Sequence, residues 1–565
     1  MEFDLKIVGG TIVDGSGNEG YRGDAGIRDG KIIALGEAKG EATKTIDAGG
    51  LMVCPGFVDI HTHYDAQVLW DKMLTISPWH GVTTAVMGNC GFGVAPVRPA
   101  DRVLIMKTLE KVEGMSYETL EAGLGLDWPF ESFPEYLNAV TGSGSVINLA
   151  SYIGHTPLRL YVMGDDAMER EATGGEVEAM AAIVREAMAA GAIGFSTGHA
   201  ATQNAYDGRP VPSRLAAFSE IDALVGAMAA SGRGILQCSI GKNFFHDELT
   251  DLARRHNVPV TWTALVSGMS GPGSHQKHLD LTAQQRAEGL NIVPQVACRP
   301  VMFDFNFGDP FPFEMLPLFR EIMTLDGDAK KAVYNDDSFR DKFKAKTAPG
   351  VKMLLADWVG RTRVSMLPSA PELEEVLLSD IAAQRGEDAI DLALELSIAS
   401  DFAARFRLPF LNYDLHEVGE LLVDDNTVVS LSDAGAHASQ LCDACYSTDF
   451  LGHWVRDEGM MEMEQGVHEL TQKPADLMGL KDRGRLAQGL PADVVIFDPA
   501  TVNASGLSRV YDQPAGQDRL ISQALGIEAV IVNGALIRES GHDTVNVDQS
   551  LPGEFLRGDS RVQRP

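Results

Sequence analysis

Two histidines separated by one residue, His61 and His63, are the residues of this sequence best suited to metal chemistry. They end the segment PGFVDIHTH (55–63), whose first half is apolar and typical of a buried strand. Because residues i and i+2 of a strand face the same side, both imidazoles point together. At a strand end they can bind one divalent ion. A chance HxH is the alternative, so the pair needs support from elsewhere.

A carboxylate supplies part of that support. The β-prone run VSLSD (429–433) ends in Asp433, which can complete a metal site and accept a proton from an attacking water. A carboxylate at a strand end can instead be a helix N-cap or a loop residue.

Strands that alternate with helices must position these side chains. Val177, Met180, Val184 and Met188 follow the helical period, Gly191 fits the C-cap, and the run AIGFS (192–196) is strand-like. A second helix (218–228) precedes the strand 234–238, and strands at 258–263 and 290–296 continue the series. This alternation predicts parallel βαβ units. We expect an α/β fold, a (β/α)₈ TIM-type barrel whose first three strands are 56–63, 83–88 and 146–153 and whose eighth is 427–433.

Both chain ends are β-rich, and they predict a small β-sandwich domain built from residues 1–51 and 481–545. The barrel then spans 52–480, with insertions near 96–140 and 300–425 that we expect to be helical and to cover the active-site face. Residues 546–565 are expected to form an extended tail.

The composition restricts the partners. Among 565 residues the formal net charge is −32, which argues against nucleic acid and anionic membrane. No secretion signal and no apolar run long enough to span a bilayer is evident. The six cysteines are sparse and lie mostly in apolar segments, which favours free thiols and a cytoplasmic location.

The motifs VDG (13–15), PGFVDIHTH (55–63) and GRL…ADVV (484–495) resemble those of the amidohydrolase superfamily. More narrowly, GVTT (81–84), GNCG (88–91), GHTPLR (154–159) and GAIGFSTG (191–198) resemble the N-acyl-D-amino-acid deacylase (D-aminoacylase) family. The resemblance implies that His61, His63 and Asp433 are metal ligands, with Asp433 also the base. It further implies that Cys90 ligates zinc, although a buried cysteine is more often a small apolar residue.

The family also places one histidine on strand five and one on strand six, whereas those strands end here in LQCS (236–239) and TWTA (261–264). Strand four provides no lysine to bridge two metals. We therefore expect one Zn²⁺ per chain, in a mononuclear site or one rebuilt from other groups, and no second metal.

Three further residues are candidates on the presumed catalytic face. His155 is a candidate oxyanion donor and His199 a candidate substrate-binding residue; either could also help rebuild the metal site. A loop histidine bonded to the backbone is the alternative. Arg299, just after strand seven, is a candidate clamp for a substrate carboxylate, unless it forms an ordinary ion pair. The CxxC at Cys442 and Cys445 is expected to be structural.

These residues predict an enzyme that hydrolyses the amide bond of an N-acyl amino acid or a similar small amide by metal-activated water. A cyclic amide, carbamate or ester hydrolase on the same barrel is one alternative. A catalytically silent barrel used for binding or assembly is another. The expected partner is a small-molecule amide; a homo-oligomer is only a family expectation.

Overall fold

Strands and helices alternate through the middle of the chain in the computed structural model, which describes residues 2–351 and 353–558. The strands are β1 (Phe3–Ile12), β2 (Tyr21–Arg28), β3 (Lys31–Gly36), β4 (Ala42–Asp47), β5 (Met52–Pro55), β6 (Phe57–Asp59), β7 (Val82–Met87), β8 (Asn148–Gly154), β9 (Gly194–Gly198), β10 (Ile235–Ser239), β11 (Val260–Thr263), β12 (Ile292–Val296), β13 (Val301–Phe305), β14 (Arg363–Met366), β15 (Arg405–Leu411), β16 (Val428–Val429), β17 (Val494–Phe497), β18 (Asn503–Ala504), β19 (Ser508–Val510), β20 (Arg519–Ile521), β21 (Ala524–Leu525), β22 (Ile527–Val532), β23 (Ala535–Glu539) and β24 (His542–Asp543).

The α-helices complete the element order. They are α1 (Arg102–Glu113), α2 (Tyr117–Leu124), α3 (Phe133–Ser143), α4 (His155–Met163), α5 (Gly174–Ala190), α6 (Phe218–Ala229), α7 (His246–His256), α8 (Ser274–Ala287), α9 (Pro317–Arg320), α10 (Gly327–Tyr334), α11 (Asp337–Thr347), α12 (Leu378–Arg385), α13 (Ala389–Ala399), α14 (Leu415–Val423), α15 (Tyr446–Asp449), α16 (Met463–Leu470) and α17 (Gln472–Met478). None of the helices in the described part of the chain is long and apolar enough to cross a membrane.

Eight strands form a curled parallel sheet in the order β16-β12-β11-β10-β9-β8-β7-β6. Its two edges meet where Thr62, just after β6, forms a parallel bridge with Ala434, beyond β16. The sheet is therefore of the TIM-barrel type, and its strands lie close to the positions predicted from the sequence. Such a sheet brings the carboxyl ends of all its strands to one face, where side chains from distant parts of the chain can meet.

Local sequence explains the barrel helices. In α5, Thr173 and Glu176 form a capping box, and Gly191 ends the helix with φ +119°. Met180, Val184 and Met188 are buried, which confirms the helical period.

Strands from both chain ends form one nine-stranded sheet, in the order β24-β23-β22-β17-β5-β1-β2-β3, with β4 paired to β1. Asp493, just before β17, fastens this sheet to the barrel. Its carboxylate accepts hydrogen bonds from Asn148 Nδ2 of β8 at 2.8 Å and from Asn533 N at 2.7 Å. It also pairs with Arg483 Nε at 2.9 Å, and both charged side chains are buried.

The segment 300–425 is not wholly helical as expected. Besides α9–α14 it contains a three-stranded antiparallel sheet, β13-β15-β14. The first four residues of β15, RFRL, alternate charged and apolar side chains, so part of a strand period was present in the sequence. The segment has its own apolar core, in which Phe307, Phe343 and Trp358 are fully buried. The segment 96–140 is helical, holding α1, α2 and most of α3.

The described part of the expected tail lies against the barrel. Phe555 forms a parallel bridge with Leu149 of β8. Gly553 N donates to Ser145 O at 2.9 Å, and Leu556 N donates to Leu149 O at 2.6 Å. Residues 559–565 lie outside the described residues.

Candidate metal centre and active site

His61 and His63 follow β6, and the Nε2 atom of each ring faces Asp433 Oδ1. His61 is 1% exposed, with Nε2 at 3.2 Å from Asp433 Oδ1. On the other side of its ring, Nδ1 contacts Gln295 Oε1 at 2.7 Å. Gln295 Nε2 donates to Thr261 Oγ1 at 3.2 Å, which turns the amide oxygen toward His61. The imidazole therefore donates from Nδ1, and its Nε2 points at Asp433, where either a proton or a metal ion can lie between them.

His63 repeats this arrangement with a different outer partner. Its Nε2 lies 3.6 Å from Asp433 Oδ1, and its Nδ1 lies 3.3 Å from Glu113 Oε1. The side chains of His63 and Glu113 are each 6% exposed.

Cys90 brings a thiol to the two Nε2 atoms from the turn after β7. Its backbone is left-handed, with φ +58°, and its N–H donates to Gln237 Oε1 at 2.6 Å. Sγ lies 3.4 Å from His61 Nε2. Candidate ligand atoms of His61, His63 and Cys90 all lie within 4.8 Å of one another. The structure thus gathers the four residues for which the sequence predicted metal ligation.

Mutual charge sets the protonation of this cluster. Burial raises the pKa of the Cys90 thiol, but the charges and hydrogen bonds of His61 and His63 outweigh it and lower the pKa to about 5. Burial likewise opposes ionisation of Asp433, yet the hydrogen bond from His63 and the charges of both histidines hold its pKa well below the usual range. Burial lowers the pKa of His61, but the Cys90 and Asp433 charges raise it overall. A thiolate and a carboxylate thus face two imidazoles, and a divalent cation can replace the protons on those rings.

Asp433 also opens outward. Its side chain is 32% exposed, and it lines a small cavity of about 40 Å³ together with Tyr64, Gln67, Asp443 and Arg519. Among the described residues of its lining, Arg519 is the cationic one.

Gln237, in the middle of β10, and Thr263, the last residue of β11, lie beside Cys90. Gln237 Nε2 donates to Thr263 Oγ1 at 3.3 Å, and Cys90 Sγ lies 3.9 Å from the same hydroxyl. Strands five and six therefore present an amide and a hydroxyl to the thiol. Both are weaker zinc ligands than imidazole.

His155 and His199 lie in a hydrogen-bonded cluster of their own. His155 is fully buried, and its ring nitrogens contact Thr197 Oγ1 and Glu220 Oε1, each at 2.8 Å. Glu220 also pairs with Arg159. Since both nitrogens are engaged and no edge is exposed, this geometry favours a structural role over oxyanion donation. His199 stacks on Phe244, and burial lowers its pKa to about 3.

Arg299 is held by two carboxylates. Nε contacts Asp443 at 2.8 Å, Nη1 contacts Asp449 at 2.5 Å, and the side chain is 12% exposed. A substrate carboxylate would have to displace one of these partners, so the geometry supports the ion-pair alternative. The CxxC cysteines are buried, and Cys445 Sγ lies 3.3 Å from Cys442 O.

Sequence reasoning missed Glu113 and Gln295, the outer partners of the two histidines. Gln295 is the penultimate residue of β12, so its position near the catalytic face was a usable signal. Glu113 lies at the end of α1 inside an insertion, where no local motif marks it.

Comparison with known proteins gives a consistent result. The Amidohydrolase family model matches residues 44–276 and 358–538. D-aminoacylase of Alcaligenes xylosoxydans xylosoxydans is 32% identical over 544 residues, 94% of each chain, and N-acyl-D-glutamate deacylase of the same organism is 29% identical over 572 residues, 99% of this chain and 98% of the other.

Solved structures agree. A D-aminoacylase described with a binuclear metal centre superposes with a TM-score of 0.67 at 26% identity, covering 98% of this chain and all of the other. N-acyl-D-glutamate deacylase of Bordetella bronchiseptica, solved with zinc and a phosphonate inhibitor, gives 0.66 at 26% identity, with 99% and 100% covered. The chain therefore belongs to the amidohydrolase family, among the relatives of D-aminoacylase.

Proposed function

We propose that this protein is a zinc-dependent hydrolase that cleaves the amide bond of N-acyl amino acids. The observation that carries the proposal is that candidate ligand atoms of His61, His63 and Cys90 lie within 4.8 Å of one another, with the partly exposed carboxylate of Asp433 next to the Nε2 atoms of both histidines. The names of the relatives make N-acyl-D-amino acids the first substrates to test.

The residues present fit one zinc ion. Two imidazoles and a thiol of lowered pKa form a three-ligand set of the kind that catalytic zinc sites use, and the Asp433 carboxylate beside them could bind the ion or its water. The Nδ1 atom of each ring contacts Gln295 or Glu113, so both Nε2 atoms are available as ligands. When bound, the ion would supply Lewis acidity to the attacking water and the scissile carbonyl.

The protein's own groups then accept and donate the protons of the reaction. Asp433 is ionised at neutral pH and faces the cavity, so it can accept a proton from the water as the carbonyl is attacked. The same carboxyl group can return that proton to the leaving nitrogen. Expulsion of the amine then leaves an acyl carboxylate and a free amino acid.

Arg519 is suited to bind the substrate's own carboxylate. It lines the cavity with Asp433, and its guanidinium is held by Asp512 and by Thr75 O at 2.7 Å. Arg519 contacts both carboxylate oxygens of Asp512, at 2.7 and 2.8 Å, so a substrate carboxylate would have to displace Asp512. Asp512 is 51% exposed, so its displacement costs less than that of the largely buried partners of Arg299. Arg519→Met should raise KM for an N-acyl amino acid about tenfold or more and leave KM for its neutral carboxamide unchanged. Equal effects on the two substrates would remove this role.

We also infer a single metal per chain, because Gln237 of β10 and Thr263 of β11, and not histidines, lie beside Cys90, where a second ion would need ligands. Metal analysis after purification without chelator tests this count. About one zinc per chain supports the proposal, near zero favours a catalytically silent barrel, and about two overturns the ligand argument. Gln237→His combined with Thr263→His should raise the count.

A substrate panel tests the reaction itself. N-acyl-D- and N-acyl-L-amino acids should be hydrolysed faster than lactams, cyclic ureides, carbamates or simple esters of similar size. A preference for a cyclic amide, carbamate or ester would replace the proposed substrate and keep the barrel chemistry. Removal of zinc by chelation should abolish the activity, and added zinc should restore it.

Further parts of the proposal concern organisation. We propose that residues 1–51 and 481–545 form a β-sandwich domain beside a closed barrel of residues 52–480, supported by the sheet that both chain ends share. The six free cysteines support a reducing, cytoplasmic location. Separate expression of residues 52–480 tests the first point, since the barrel alone should expose the sheet-facing surface and aggregate. Fractionation of cells tests the second.

A further inference from the structure

In both histidines of the metal cluster the Nδ1 atom, on the side of the ring away from Asp433, contacts another side chain, but the two partners differ. His61 Nδ1 faces the neutral amide of Gln295 at 2.7 Å. His63 Nδ1 faces the carboxylate of Glu113 at 3.3 Å, and Glu113 is 5% exposed. The first contact is a good hydrogen bond. The second contact is close enough for an ion pair, but its geometry does not meet the criteria for a hydrogen bond.

The local backbone holds Glu113 in this place. Glu113 is the last residue of α1, and its carbonyl oxygen accepts a hydrogen bond from His437 N, in the loop beyond β16. Gly114 follows with φ +58°, and a Cβ there would lie 3.1 Å from Gln440 Oε1 and 3.2 Å from His437 Nδ1. The glycine thus permits a close approach that an alanine would strain. The end of α1 is fastened to the first and the last strand regions of the barrel.

A carboxylate buried here is costly unless it is paired. An apolar residue would pack the end of α1 against the barrel as well, without that cost. The charge is aimed at the one ring atom of His63 that faces away from Asp433 and Cys90. This geometry indicates a role for the charge itself.

We propose that Glu113 is the positioning residue for His63, an inference that rests on the zinc site of the proposed function. By accepting a hydrogen bond from Nδ1–H, Glu113 would keep the proton on Nδ1 and leave Nε2 for the metal, and its charge would make the imidazole a stronger ligand. Glu113 also makes zinc affinity depend on the docking of α1, which belongs to the insertion rather than to the barrel.

The test is the affinity of full-length apo-protein for zinc, measured by competition with a chromophoric chelator. Glu113→Ala should weaken zinc binding about ten- to a hundredfold. Glu113→Gln keeps an oxygen acceptor and loses the charge, so an intermediate weakening is expected. Glu118→Gln, an exposed carboxylate on the adjacent helix α2, is the matched control and should leave the affinity unchanged. Cobalt-substituted protein supplies an independent readout, since a reoriented His63 should alter its visible absorption in Glu113→Ala alone.

Each outcome of these measurements either supports or overturns the positioning role of Glu113. Zinc affinity within about twofold of wild type in folded Glu113→Ala overturns the proposal, even if the melting temperature of the apo-protein falls. If Glu113→Ala does not fold, Glu113→Gln decides by the same criterion. A wild-type protein that hydrolyses no N-acyl amino acid, but whose zinc affinity falls in these variants, removes the proposed substrate and retains this role for Glu113.

Discussion

Replacement of Asp433 by asparagine separates proton transfer from metal binding. Asparagine keeps the size of the side chain and an oxygen that can face the imidazoles. It loses the negative charge that lies 3.2 Å from His61 Nε2 and 3.6 Å from His63 Nε2, and it cannot accept a proton from water. His61, His63 and Cys90 remain to hold zinc.

The magnitude follows from the role of the carboxylate. A positioned general base contributes about 10²- to 10⁴-fold to a rate. Because each 1.36 kcal/mol corresponds to a factor of ten, the barrier should rise by about 3–5 kcal/mol. Asp433 lies on the cavity wall but need not contact the acyl chain or the substrate carboxylate. The loss should therefore appear in kcat, with KM changed only slightly.

The assay is amide hydrolysis at saturating zinc, with bound zinc measured on the same samples. Asp425→Asn, an exposed carboxylate a few residues earlier, is the control and should retain full activity. The reasoning is refuted if Asp433→Asn keeps kcat within about tenfold of wild type while its bound zinc is unchanged.

Three further predictions concern the framework. Arg299→Met leaves two largely buried carboxylates without their cation, so the free energy of unfolding should fall by about 3–5 kcal/mol in denaturant titrations while KM stays constant. A raised KM at unchanged stability would instead support a role for Arg299 in binding the substrate carboxylate. Burial raises the pKa of Asp493 to about 6, above its unfolded value, so its contribution to stability is lost as pH rises toward 6. The melting temperature of Asp493→Asn minus that of wild type should therefore increase from about pH 4.5 to 7, and a constant difference would contradict this. Gly154→Ala places a Cβ 2.2 Å from Phe92 O and should lower the free energy of unfolding by about 1–3 kcal/mol in denaturant titrations, whereas Gly142→Ala, in helix α3, meets open space and should not lower it.

Sequence reasoning located most of the barrel because its signals are local. The helical period of α5, its capping residues and the apolar strand runs lie within short windows, and the structure confirms them. The HxH pair and Asp433 were identifiable because parallel strands of a barrel open at one face, so strand ends alone place them together.

The remaining features depend on tertiary packing. Glu113 reaches His63 only because an insertion folds back over the barrel, and no local pattern marks such a contact. The roles of Arg299 and His155 were ambiguous because their partners, Asp449 and Glu220, are distant in sequence. In the segment 300–425 the strand period of β15 was readable, but its pairing with β13 and β14 was not.

The sheet shared by both chain ends constrains the order in which this protein can be completed during synthesis. Strand β5 pairs with β17, and Thr62 meets Ala434, so neither the sheet nor the barrel seam can form until chain hundreds of residues downstream has been made. Closing loops of this length carries a large entropic cost and slows folding. The N-terminal strands must leave the ribosome with unpaired edges, and they stay exposed to aggregation until the C-terminal strands arrive. High-level expression should therefore yield more folded protein when translation is slow or when chaperones that protect strand edges are abundant.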